Sequence, residues 1–360
     1  MITSLTSLRF LFALAVFVHH YHLRINEEIP FFENGYIGVS FFFILSGFIL
    51  SYSYKERLLT GKMSKLDFYI ARFARIYPLH LLTFVICIPL LIRINSVPDW
   101  KILTSNLFLI QSWIPDRAYY FSVNQPSWSI SDEAFFYAVF PVLLYFFMKK
   151  SFNTKTITVA VCLLLYISLM FLPWKYHNAH ALFYINPIFR VIDFAIGIII
   201  YSIWNQNSQK KYDFNKWKAT IFEVSSIGIL IFMIWFSKYI PKTLLCACYY
   251  WLPISLIIYL FAIQQKGLVS ILLSKKVFVL SGEISYAFYL FHKPVINYCN
   301  IVMVKLKTIE WWNNQIFLRF ILIFIALYIV SLLSFYYFET PTNRKIKSIY
   351  KNYKQNLSIR

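Results

Sequence analysis

The chain has 360 residues, 59% hydrophobic and 21% aromatic, with a mean hydropathy of +0.59. A soluble domain is nearer half apolar, whereas here the apolar residues fall in blocks of about 17–23, the length that crosses a hydrocarbon core. The net charge of +20 would suit a nucleic-acid binder, but its placement argues for topology instead.

Ten spans are predicted, at 5–23, 36–54, 76–95, 132–148, 157–173, 187–204, 219–237, 245–264, 278–303 and 316–338. They describe an all-α polytopic membrane helix bundle. With the N-terminus in the cytoplasm, the inner connections 55–75, 149–156, 205–218, 265–277 and 339–360 carry 22 Lys and Arg. The outer ones, 24–35, 96–131, 174–186, 238–244 and 304–318, carry 8. That bias is the positive-inside signature and places both termini in the cytoplasm. No nucleic-acid partner is needed to explain the charge; membrane lipids are the expected surroundings.

Span 1 is not read as a cleaved signal peptide, because Arg9 interrupts it and no small-residue cleavage site follows. It ends in His19-His20-Tyr21-His22. Arg9 and His20 are eleven apart, three turns plus about 20°, so they share a face about 16 Å apart along the axis. His19 points about 100° away. One polar stripe therefore joins the two halves of the span, although Arg9 alone can snorkel and histidines can rest in an interface.

Just before span 3, Arg72 and Arg75 sit at i,i+3, where both guanidiniums can fork onto phosphate oxygens. Plain anchoring explains the charge but not the choice of arginine in a chain whose inner loops favour lysine. Stretch 102–114 is too short and polar to span and reads as interfacial or re-entrant. Pro126-Ser127-Trp128-Ser129-Ile130-Ser131-Asp132-Glu133 enters span 4 from outside. Ser131 is expected as its N-cap, with Asp132 and Glu133 complementing the helix dipole. Glu133 can also orient an imidazole or hold an acceptor hydroxyl, and Trp128 offers either a sugar-stacking face or an interface belt.

Arg190 and Asp193 at i,i+3 in span 6 are expected as a structural ion pair. The cysteines Cys87, Cys162, Cys246, Cys248 and Cys299 show no metal-ligand pattern with histidine and read as small hydrophobes. In span 9, Tyr289 and His292 precede Pro294, which breaks the helix ladder and suggests a cavity. Residues 1–343 are expected as one transmembrane domain and 344–360 as a basic cytoplasmic tail on the inner leaflet.

Taken in order, these stretches resemble the acyltransferase 3 family of membrane acyltransferases. The matches are Ser7-Leu8-Arg9-Phe10 with His20, and Gly38-Val39-Ser40-Phe41-Phe42-Phe43-Ile44-Leu45-Ser46-Gly47-Phe48. Then follow Arg72-x-x-Arg75-Ile76-Tyr77-Pro78, Trp128-Ser129-Ile130-Ser131-x-Glu133 with Phe136-Tyr137, Ile284-Ser285-Tyr286 with His292 and Pro294, and Phe338-Glu339-x-Pro341. Ser7 stands where members often have glycine, and Ala134 where many carry a second acidic residue. No fused SGNH-hydrolase-like domain is expected.

The resemblance implies transfer of an acyl group, usually acetyl, from cytoplasmic acetyl-CoA to a hydroxyl on a glycan or lipid-linked glycan at the outer face of a bacterial inner membrane. Arg9, Arg72 and Arg75 would hold the CoA donor. His20, with His19 and Glu133, would supply the chemistry, His20 either as general base or as acyl carrier. Trp128, Ser129, Tyr289 and His292 would bind substrate, with no metal and no permanent cofactor. A second copy of the chain is admitted as a partner. A ten-span transporter or flippase for lipid-linked sugars fits the bare composition but lacks the expected inverted repeat; a non-catalytic accessory subunit would need no reactive histidine.

Overall fold

A backbone amide inside lipid finds no water, so a spanning segment must satisfy itself as a helix. The computed structural model describes residues 2–22, 33–93, 98–208, 215–246, 248–263, 265–304 and 315–359, and among these there is no strand. Most of the expected connections 24–35 and 304–318, and residues 209–214 of the connection 205–218, lie outside the described residues, as do the side chain of His22 and residue Arg360.

The principal helices are α1 (Thr3–His22), α2 (Ile37–Leu59), α3 (Lys65–Arg93), α4 (Trp100–Leu107), α5 (Trp128–Lys149), α6 (Phe152–Met170) and α7 (Pro187–Asn207). They continue with α8 (Lys216–Phe236), α9 (Trp251–Ile263), α10 (Leu268–Leu273), α11 (Lys276–Glu283), α12 (Ser285–Val304), α13 (Ile316–Ser334) and α14 (Thr340–Ile359). Eight helical segments among the described residues are long and apolar enough to cross a membrane. The chain is an all-α, multi-pass membrane protein.

Several expected boundaries move. The third span begins at Lys65 rather than 76, so Arg72 and Arg75 stand inside α3 and not before it. The segment expected at 245–264 is the 13-residue α9, and the one at 278–303 is two helices meeting at Ile284. α5 starts at Trp128, so Ser131 is not its N-cap. Ser131 instead donates to the Leu109 carbonyl at 2.5 Å and bonds Ser112 at 2.7 Å. Those bonds draw the polar 100–113 stretch against α5, with His80 of α3 bonding the Asn106 carbonyl at 3.0 Å from the other side. The expected tail is helical: α14 follows α13 through the π-turn Phe335–Glu339 and packs along α3.

α1 is enclosed by α2, α11 and α12. A Cβ at Gly38 would strike the Phe12 carbonyl and the Val16 side chain, and one at Gly282 would strike the Thr6 carbonyl. Only glycine lets these backbones approach so closely, the small-residue packing usual between membrane helices. α6, by contrast, buries few of its residues and faces outward.

Four prolines inside helices each remove an amide and push aside the carbonyl one turn earlier. At each of these sites a side chain from another segment bonds a carbonyl three or four residues before the proline. The Leu290 carbonyl, freed by Pro294, accepts from Asn124 at 3.1 Å, and the Ala74 carbonyl, freed by Pro78, accepts from Asn343 at 3.0 Å. Beside Pro141 the Ala138 carbonyl accepts from Tyr69 at 3.1 Å, and beside Pro89 the Ile86 carbonyl accepts from Tyr298 at 2.8 Å.

An Asn124→Ala substitution should therefore strand a buried carbonyl and cost about 1–3 kcal/mol. Adding Pro294→Ala restores a helical donor to that carbonyl and should recover most of the loss. Thermal unfolding of single and double variants in detergent checks this; a double variant no more stable than Asn124→Ala would refute the account.

Candidate active site

α3 projects Arg72 and Arg75 from one face because they are one turn apart. α1 brings Arg9 to the same place, α5 brings Ser129, Glu133 and Tyr137, α2 brings Ser46, and α12 brings Tyr286 and Tyr289. Together they line a cavity of about 140 Å³.

Arg75 forms an ion pair with Glu339, whose side chain is 3% exposed, and lies 5.5 Å over the Tyr286 ring. Arg72 donates to the Tyr54 hydroxyl at 2.9 Å and sits over the rings of Tyr54 and Tyr137 at 5.1 and 5.5 Å. Glu133 accepts from the Tyr137 hydroxyl, one turn on, and from Ser46 at 3.4 Å. The charges acting on Arg9 are Arg75, Glu133 and Glu339. Among the described residues no carboxylate forms an ion pair with Arg9 or Arg72. Three guanidiniums thus face two carboxylates, and the cavity keeps one positive charge in excess. Aromatic faces under the guanidiniums supply cation–π attraction without neutralising them.

Next to this cavity lies a histidine pair. His292 is fully buried, and its Nε2 lies 3.0 Å from Nδ1 of His20. Nδ1 of His292 bonds the Tyr289 carbonyl, and Nδ1 of His20 lies 3.0 Å from the Val16 carbonyl. A carbonyl only accepts, so both Nδ1 atoms carry hydrogen. Two facing N–H groups cannot bond, so Nε2 of His292 is a lone pair that shares the His20 Nδ1–H with Val16. His20 is left with Nε2 as its basic nitrogen, and among the described residues nothing hydrogen-bonds that atom. Tyr289 joins the two halves: its hydroxyl bonds Ser129 at 2.8 Å in the cavity wall, and its carbonyl holds His292.

The expected residues are only partly brought together. Arg9, Arg72, Arg75, Glu133, Ser129 and Tyr289 share the cavity. His20 and His292 form their own pair, and the ring of His19 lies 5.3 Å from that of His20 and 5.9 Å from Tyr36 at the entry to α2. Glu133 does not steady His20: its partners are Tyr137 and Ser46, while the imidazole is held by Val16 and His292. Trp128 is 4% exposed and packed edge-on against Phe43 with its ring 5.0 Å from Tyr184, so its faces are occupied by protein. His292 likewise has no exposed surface for a substrate.

Sequence reasoning assigned no role to Glu339, Tyr137, Tyr286 or Tyr54. The one-turn spacing of Glu133 and Tyr137 was legible; the Arg75–Glu339 pair, 264 residues apart, was not. Arg190 and Asp193 do pair, at 2.9 Å and fully buried, with Ser40 bonding Arg190 at 3.0 Å and Trp251 bonding Asp193.

An all-helical membrane bundle with an arginine-lined cavity beside a histidine of fixed tautomer has the parts of a group-transfer enzyme, and the sequence comparisons agree. Residues 2–338 match the acyltransferase domain, and the chain belongs to the acyltransferase 3 family. It is an acyltransferase. It is 30% identical to the acyltransferase MdmB of Streptomyces mycarofaciens, over 83% of this chain and 80% of that protein. It is 25% identical to the O-acetyltransferase OatA of Staphylococcus aureus, over 95% of this chain and 57% of OatA. Identity to the peptidoglycan O-acetyltransferase OatA of Listeria monocytogenes is 26%, over 95% of this chain and 56% of that protein. The chain thus spans little more than half of either OatA. No solved structure matches.

Removing Glu339 leaves Arg75 without its counter-charge in the bundle. Glu339→Ala should cost about 3 kcal/mol, the low end for a broken buried pair, because Arg75 opens onto the cavity. Thermal unfolding in detergent measures it, and a variant as stable as wild type would show that the pair carries no structural weight.

Proposed function

We propose that this chain moves an acyl group, acetyl in the first instance, from cytoplasmic acyl-CoA to a hydroxyl of a glycan at the outer face of a bacterial inner membrane. The observation that carries the proposal is His20, with Nδ1 tied to Val16 and His292 and Nε2 unbonded, one residue removed from a cavity with an excess positive charge. The names of the OatA relatives, one of them specifying peptidoglycan, support an O-linked acceptor on a cell-surface polymer.

In this reading Arg72 and Arg75 bind CoA phosphates as charge-assisted forks. The pantetheine arm passes Arg9 and Tyr289 and brings the thioester to His20. Nε2 takes the acceptor's proton as its oxygen attacks the thioester carbon; the C–S bond breaks, a C–O bond forms, and the thiolate leaves with a proton returned from the imidazole. In the two-step variant Nε2 itself attacks the thioester carbon and the thiolate leaves; the acceptor hydroxyl then attacks the acyl-imidazole, the C–N bond breaks, and the released Nε2 takes up the hydroxyl proton. An ester replaces a thioester in either route, so neither needs another energy source. Ser129 and Tyr289 are placed to bond the substrate as it passes. Glu133 sets the charge of the arginine cavity.

His20→Ala should abolish transfer in an assay with labelled acetyl-CoA and a glycan acceptor. His292→Ala should lower it about 10–100-fold, within the range of a general-base contribution, because the ring loses its tautomer holder but keeps the Val16 bond. His19→Ala should change it least. An active His20→Ala protein would end the histidine mechanism.

Sidedness has its own test. In sealed vesicles of known orientation, acetyl-CoA is confined to the cytoplasmic side and an impermeant glycan to the other. Acetylated glycan on the far side is the expected result; product only when both substrates share the cytoplasmic side would rule out delivery through the protein.

A further inference from the structure

A second cavity, of about 380 Å³, opens where the end of α2, the start of α3 and α14 meet. Its wall includes Tyr54 and Arg57 of α2, Asp67 of α3, and Lys347, Tyr350, Lys351 and Lys354 of α14. Lys347, Lys351 and Lys354 stand at i, i+4 and i+7 and share one helical face.

The one carboxylate in this wall is already engaged. Asp67 lies 2.9 Å from Lys354 through both oxygens and 3.1 Å from the Tyr350 hydroxyl. Among the described residues no carboxylate meets Lys347, Lys351 or Arg57. Three cations therefore line a pocket without an internal counter-ion.

The two cavities share a wall. Tyr54 lines the second, and its hydroxyl bonds Arg72, which lines the first. Arg72 and Arg75 are also the charges acting on Lys347. Basic side chains thus line both cavities, which adjoin at the Tyr54–Arg72 bond. The second cavity's cations are mostly lysine, a flexible point charge; those of the first are arginine, a rigid fork. A ligand matching both would carry one phosphoryl group for the lysines and further phosphates for the arginines.

We propose that the second cavity binds the nucleotide end of the acyl-CoA donor, with its ribose 3′-phosphate on Lys347, Lys351 and Arg57 while the diphosphate reaches Arg72 and Arg75. This rests on the reading of acyl-CoA as donor given above. A phosphomonoester carries about −1.5 to −2 at neutral pH, matching the unpaired lysines and arginine. α14 then acts as part of the donor site. A phospholipid headgroup offers the same phosphate chemistry, so the test separates the two sources.

The full-length protein in neutral-lipid nanodiscs is titrated with CoA and with 3′-dephospho-CoA, which differ only in that phosphate. Wild type should bind CoA about tenfold tighter at low salt, the size of one charge-assisted contact, with the preference shrinking as salt rises. The Lys347→Ala, Lys351→Ala double variant should lose that preference by weakening CoA alone, with its melting temperature unchanged. Arg57→Ala should do the same to a smaller degree.

A wild type that binds both ligands equally, or a double variant that weakens both equally, overturns the assignment while leaving acyl-CoA as donor. A wild type that binds neither ligand sinks the donor reading and this one with it. The titrations are repeated in phosphatidylglycerol nanodiscs. If the double variant keeps the wild-type preference for CoA there and loses only its association with anionic lipid, the pocket is a headgroup site and the proposal is wrong.

Discussion

Placing three arginines in one small cavity of a membrane bundle is costly, and the Arg75–Glu339 pair is what makes the arrangement tenable. It joins the middle of the chain to the start of α14. Without it, three like charges would crowd together where water is scarce and screening weak. With it, and with Glu133 held by Tyr137 and Ser46, repulsion falls to a single excess positive charge. That residue of charge attracts an anion without collapsing onto a protein carboxylate.

The chain contains a control for this argument. Arg190 and Asp193 also form a buried pair, bonded in addition by Ser40, the Cys246 carbonyl and Trp251. The same residue types are closed off there and left open at Arg9, Arg72 and Arg75. His20 is bonded by neither arginine group: its Nδ1 is held by Val16 and His292, and Tyr289 links that pair to the cavity wall through Ser129.

Much of this was legible in the sequence, within limits set by what a helix period can convey. The period put Arg72 with Arg75 on one face, a relation inside a single helix; it does not separate His19 from His20, whose rings lie 5.3 Å apart. It does not say which helices meet. From sequence Glu133 can orient an imidazole, yet α5 presents it to the arginine cavity and α12 supplies His292 to His20 instead. Trp128 was read as a helix-end aromatic open to sugar or interface; the bonds of Ser131 to the 100–113 stretch draw that end inward and cover it. The α3 start was missed because Lys65 to Arg75 is too polar for a hydropathy reading, although α14 packs against that polar turn and keeps it helical.

The bonding of a carbonyl near each in-helix proline by a distant side chain bears on how the molecule is made. The Ala74 carbonyl and the Arg75 guanidinium are synthesised early, yet their partners Asn343 and Glu339 emerge from the ribosome more than 260 residues later. Until then α3 carries an unpaired carbonyl and an unpaired charge in the lipid. Insertion of the first helices therefore cannot finish the arginine cavity, whose Arg75 is paired only when the end of the chain docks. A nascent chain interrupted before Phe335–Glu339 would leave both groups unpaired, a mark by which membrane quality-control proteases can tell an unfinished copy from a complete one.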